Sequence, residues 1–92
     1  MNLLDYNNEP IEAICANGDK RRGIVINGVF YQLDFGFPNN ADNESYHIKL
    51  TPINKNLILE ARIIDSDIEK MIINSILEGK NESIIILPIK ID

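Results

Sequence analysis

The sequence predicts an α+β fold: an antiparallel-rich sheet of about five or six strands, open, mixed or barrel-like, with one helix packed on it. Three observations carry this. An Asn27-Gly28 dipeptide sits between two β-branched and aromatic runs. After Ile64 the apolar period changes from two residues to that of a helix. The chain then returns to an uninterrupted apolar run, Ile84 to Leu87, of strand length. The predicted order is β-β-β-β-β-α-β.

The first strand is expected over Ile11 to Ala16, ending in a turn at Asn17-Gly18-Asp19-Lys20. Asn27-Gly28 then supplies the positive φ angles of a type I′ turn, whose twist matches that of the strands it joins. This turn sets Ile26 opposite Val29, Val25 opposite Phe30, Ile24 opposite Tyr31 and Arg21 opposite Asp34. Alternation sends Ile24, Ile26, Val29, Tyr31, Leu33, Phe35 and Phe37 to one face, read as the core. Arg21, Val25, Phe30, Gln32 and Asp34 go to the other, a mixture expected to be at least partly wet.

Residues 38–45 have the composition of an exposed loop. Tyr46 to Thr51 alternates as a fourth strand with Tyr46, Ile48 and Leu50 inward. Leu57 to Ile64 follows a turn at Asn54-Lys55-Asn56, with Leu57, Leu59, Ala61 and Ile63 expected on one side. A helix is expected from Ser66 to Glu78. Ser66 and Glu69 have the spacing of a capping box, and Gly79 is a C-terminal stop. Ile68, Met71, Ile72 and Ile76, widened by Ile73 and Leu77, form its apolar stripe. A helix between two strands with short connections places the last strand, Ser83 to Ile91, parallel to an earlier one. That strand is expected to be buried on both faces as far as Pro88.

Length and charge bound the function. The chain has 92 residues and a formal net charge of −5, with 45% hydrophobic and 25% charged residues. This is one domain, residues 1–92, with room for one core and little for a deep catalytic cleft. Net negative charge disfavours a phosphate backbone, so nucleic acid is not the expected partner. The aromatics between Phe30 and Tyr46, near Lys20-Arg21-Arg22, have the make-up of a base-stacking platform, but most share the core face. No run reaches the ~18 apolar residues of a membrane span, and Met1 to Asp5 lacks a signal-peptide pattern. With Cys15 as the one cysteine, a cytoplasmic setting is expected.

The chemistry-bearing residues do not assemble into a catalytic pattern. Cys15 and His47 lack a third orienting group in sequence. Glu44-x-x-His47 straddles a loop and a strand, where metal-binding Glu-x-x-His needs a helix. Asp42 and Glu44 lack the Asn/Asp-Gly frame of a calcium loop. Asp65, Asp67 and Glu69 suit a helix N-terminus, where negative charge is stabilised. No metal and no cofactor are therefore expected.

The remaining feature is the outer face of the 21–34 hairpin. Val25 and Phe30 form a cross-strand apolar pair there, flanked by Arg21, Arg22 and Asp34, which is an apolar centre with a charged rim. The expected function is a non-catalytic protein-binding domain: an adaptor, inhibitor or regulator of the kind mobile elements encode. Phe30 is its anchor, and the acidic loop Asp42 to Glu44 is the next candidate surface. Two alternatives stand beside it, a structural subunit of a homo-oligomer built through the hairpin or an unpaired strand edge, and, remotely, a small enzyme.

Overall fold

A computed structural model describes residues 2–36, 47–80 and 84–86. Among these residues six strands form one sheet: β1 (Pro10–Cys15), β2 (Lys20–Ile26), β3 (Val29–Gly36), β4 (His47–Ile53), β5 (Ile58–Ile63) and β6 (Ile84–Ile86). Their spatial order is β5-β1-β2-β3-β4-β6. The α+β class holds. With β5 and β6 at opposite ends the sheet is open, not a barrel. Every pairing is antiparallel except β4 with β6, which is parallel. The helix α1 (Asp67–Leu77) connects one edge to the other, which is why the last strand returns in parallel.

Local sequence accounts for the joints. Asn27 and Gly28 both have positive φ, 51° and 75°, the signature of a type I′ turn. The register follows from it: Ile26 opposite Val29, Val25 opposite Phe30, Ile24 opposite Tyr31. At the β1–β2 turn Gly18 has φ +90°, and the Asn17 side chain accepts from the Asp19 N–H at 3.0 Å. The helix ends as Gly79 predicts. With φ +75°, Gly79 donates to Ile76 O at 3.1 Å and Lys80 to Ser75 O at 2.8 Å. These are the paired bonds of a Schellman motif.

The sheet is apolar on both faces, and each face has its own cover. On one, Ile24 and Leu50 pack with Ile72 and Ile73 of α1, with Tyr31, Leu33, Ile48 and Ile76 around them. On the other, Ile11, Ala13, Val25, Phe30, Ile53 and Ile58 pack with Leu3, and with Tyr6 at the margin. Leu3 and Tyr6 belong to a short 3-10 helix, Leu3–Tyr6, whose entry Asn2 caps by accepting from Leu4 N–H at 3.1 Å. The architecture is thus a sheet between one helix and one N-terminal strap.

Two expectations about faces need correction, and the exposure of β5 is a further finding. Val25 and Phe30 are fully buried, not an exposed pair, because the strap lies on them. Phe35, assigned to the core face, is 56% exposed. In β5, Leu59 and Ile63 are exposed while Ile58 is buried. The β1–β5 ladder also carries an irregularity. Ile14 pairs with Glu60 and Cys15 with Ile58, leaving Leu59 as the extra residue of a bulge. One extra residue changes which side chains point inward. Phe37, Tyr46 and the last strand beyond Ile86 lie outside the described residues.

The helix also sits differently on its stripe. Ile72 and Ile73 are buried, whereas Ile68 and Met71 are 59% and 68% exposed. Ser66 holds the N-cap position with extended backbone, but its hydroxyl makes no capping bond. Glu69 does not complete a capping box. It is buried and turns to Arg22 of β2, 3.2 Å away.

Candidate functional site

The base of the β2–β3 hairpin keeps the polar half of the surface the sequence singles out. Arg21, Gln32 and Asp34 alternate onto the strap side of the sheet, beyond the strap's reach. Arg21 Nη1 donates to Gln32 Oε1, and Gln32 Nε2 donates to Asp34 Oδ2 at 3.2 Å. Arg21 also pairs with Asp19 at 3.5 Å. The result is a chain, Asp19–Arg21–Gln32–Asp34, lining an open depression of about 340 Å³. Gln32 mediates between Arg21 and Asp34, which sequence alternation set directly opposite each other. Asp19 and Arg21 offset each other, while Asp34 is bonded to the neutral Gln32, so the strip is a polar row that can meet a charged ligand.

Arg22, one residue on, points to the other side of the sheet. Its guanidinium reaches Glu69 Oε1, and Glu69 Oε2 is buried with no hydrogen-bond partner among the described residues. Glu12 of β1 lies between Arg22 and Arg62 in the register and binds Arg62 at 2.9 Å. Acid and base alternate from α1 across β2 and β1 to β5. Arg21 and Arg22, read together as one rim, therefore serve opposite faces.

The apolar half of the predicted surface is closed. Asn8 N–H donates to Val25 O at 2.7 Å, and Val25 N–H donates to Glu9 O at 3.2 Å. Gly28 N–H donates to the Asn7 side chain at 3.1 Å. The chain just after the strap is thus bonded to β2 and to the turn that joins it to β3, and Phe30 is a core residue. Gly23 leaves room for the Phe30 ring: a Cβ there would come within 2.9 Å of the ring and 1.9 Å of Tyr31 O. The clue in sequence is that β2 and β3 are apolar on both faces, so a second cover is required. Leu3 and Tyr6 are the unassigned apolar residues that supply it.

Of the other candidates, Cys15 is a buried free thiol. His47 opens β4 opposite Gly36. Asp42 and Glu44 lie outside the described residues. Among the described residues, no three of His, Cys, Asp and Glu come together as a metal site would require, and no helix is long and apolar enough to cross a membrane.

What the sequence reading missed is where the exposed apolar groups fall. Ile68 and Met71 are neighbours one helical turn apart, on the flank of α1 that the sheet leaves open. Asp67 stands beside them, and Asp65 pairs with Lys70 at 3.4 Å. Leu59 and Ile63 project from β5 at the sheet edge. The helix has an apolar arc wider than the sheet can cover, a signal visible in the sequence as the extra Ile68, Met71 and Leu77. The chain matches no family model, no curated protein and no solved structure.

Proposed function

We propose that the protein is a non-catalytic binding domain, an adaptor, inhibitor or regulator that acts in the cytoplasm through contact with another protein. The observation that carries this reading is the exposed flank of α1, where Ile68 and Met71 present apolar surface while Ile72 and Ile73 hold the helix down. Exposed apolar groups rimmed by polar ones are the make-up of a protein-contact patch. The acids nearest the flank, Asp65 and Asp67, and the net charge of −5 suit a partner with an apolar groove and a basic rim. The ion pairs support the same reading, since Glu69 and Glu12 are engaged with arginines that tie helix to strand and strand to strand, and Asp19 pairs with Arg21 at the β1–β2 turn.

The test is capture of the partner from the cell of origin with a tagged chain, comparing the parent with a double variant, Ile68→Asp with Met71→Asp. Both positions are exposed, so the variant should keep its melting temperature while capture is lost. Retention of the same partner at parental yield would remove this surface from consideration. The structural-subunit reading draws support from a different place, the edge of β5, beyond which no described strand lies.

A further inference from the structure

We propose that β5 pairs edge to edge and antiparallel with β5 of a second copy of this chain, in a register centred on Ala61. The backbone is arranged for it. Ile64 N–H donates to Pro10 O at 3.0 Å, so the peptide groups of Ile64, Arg62 and Glu60 alternate toward β1. Those of Ala61 and Ile63 then face away from the sheet. β5 ends the strand order, and no described strand lies beyond it. The outward groups are a row of donors and acceptors available to another strand.

The side chains are self-complementary in that register. Two-fold symmetry about Ala61 sets Glu60 opposite Arg62 of the second copy, and Arg62 opposite its Glu60. It likewise sets Leu59 opposite Ile63, twice. Leu59 and Ile63 are 66% and 56% exposed in the single chain, and pairing would cover both. Opposite charges and apolar pairs directly across an antiparallel ladder are both stabilising. The alternating row Glu69–Arg22–Glu12–Arg62 stops at the edge on a cation, and Glu60 of the second copy continues it with an anion. A shift of the register by one residue would lose the two-fold match of Glu60 with Arg62.

One group already touches this edge. The Tyr6 hydroxyl donates to Ala61 O at 3.3 Å. A carbonyl oxygen has two lone pairs, so Ala61 can accept from Tyr6 and from Ala61 N–H of the second copy together. An interface of one short strand pair is small, which makes the dimer a weak and concentration-dependent one. The inference does not rest on the protein-binding role of α1, since it uses different residues and a different element.

Sedimentation equilibrium of the full chain, from about 10 to about 500 μM, tests the pairing in the range expected of a small interface. The parent's average mass should rise above 10.4 kDa with concentration. Glu60→Arg sets like charges opposite each other at both symmetric positions and keeps the Arg62–Glu12 pair. It should weaken association at least about tenfold. Arg62→Glu should do the same. An equimolar mixture of the two variants restores opposite charges at both positions and should recover the heavier species. Circular dichroism melting of each variant reports that it is folded. A parent that stays at 10.4 kDa throughout overturns the proposal. So does a Glu60→Arg variant that associates like the parent, or a mixture that stays monomeric while both variants are folded and the parent is not. Loss of partner capture at Ile68 and Met71 would leave each of these outcomes unchanged.

Discussion

Removing Arg22 should destabilise the protein, and removing Glu69 as well should restore it. Glu69 is the buried charge of the described core, its side chain 7% exposed against 57% for Arg22. At 3.2 Å the gross attraction is about 5 kcal/mol at an effective dielectric constant of about 20, and about 1 in water. Desolvation of the carboxylate takes back much of that. Arg22→Met keeps the aliphatic stem and strands the carboxylate in a site where Oε2 already lacks a partner among the described residues. Stranding a fully buried charge costs about 3–5 kcal/mol. Because the Arg22 side is solvated, water screens the pair, and the cost here should be nearer 1.5–3 kcal/mol, roughly. Glu69→Met removes the desolvation cost instead, and Arg22 can turn to solvent. That variant should lie within about 1 kcal/mol of the parent, as apolar replacements of buried ion pairs often do. The double variant should therefore be more stable than Arg22→Met alone, and within about 1 kcal/mol of the parent. Urea denaturation followed by circular dichroism gives all four stabilities. In a domain of this size each kcal/mol also moves the melting temperature by roughly 4–8 °C. A double variant no more stable than Arg22→Met, or an Arg22→Met midpoint equal to the parent's, would refute the account of Glu69 as a carboxylate held by Arg22.

Three other substitutions separate the features that place the strap, the hairpin and the helix. Phe30→Ala should lower stability by about 3–5 kcal/mol, and a urea midpoint close to the parent's would mean that the ring is not in the core. Gly23→Ala puts a Cβ 1.9 Å from Tyr31 O, so it should cost at least the ~1–3 kcal/mol of ordinary overpacking. A variant that melts with the parent would show that β2 and β3 are not this close. Ser66→Ala should cost under about 0.5 kcal/mol, less than removal of a bonded cap, because the Ser66 hydroxyl caps nothing. A loss above 1 kcal/mol, roughly the ordinary cap value, in the same denaturation assay would contradict that geometry.

Legibility of the candidate site in the sequence stopped at the level of faces. Alternation correctly set Arg21, Val25, Phe30, Gln32 and Asp34 on one side of the hairpin. Nothing in a strand's period states whether a face is covered, so Val25 and Phe30 passed for an exposed anchor. In the same way, Glu69 three residues after Ser66 matches a capping box by spacing. The sequence neighbourhood contains no trace of Arg22, which lies on β2 and offers the carboxylate a full charge.

By itself the sequence determined what depends on neighbours in the chain. The Asn27-Gly28 turn set the register of β2 and β3, because positive φ at both residues admits one twist and one pairing. The change of period after Ile64, with Gly79 beyond it, set the span of α1 and its Schellman end. The helix between β5 and β6 set the parallel return. Tertiary structure decided what depends on two elements meeting. It chose Leu3 and Tyr6 as the second cover, docked α1 by Ile72 and Ile73 with Met71 left outside, and drew Glu69 to Arg22. It also introduced the bulge at Leu59. Periodicity sorts side chains by direction, but burial is a property of the whole packed assembly. Which of two apolar faces is covered, and by what, is settled only when all the elements compete for the same surface.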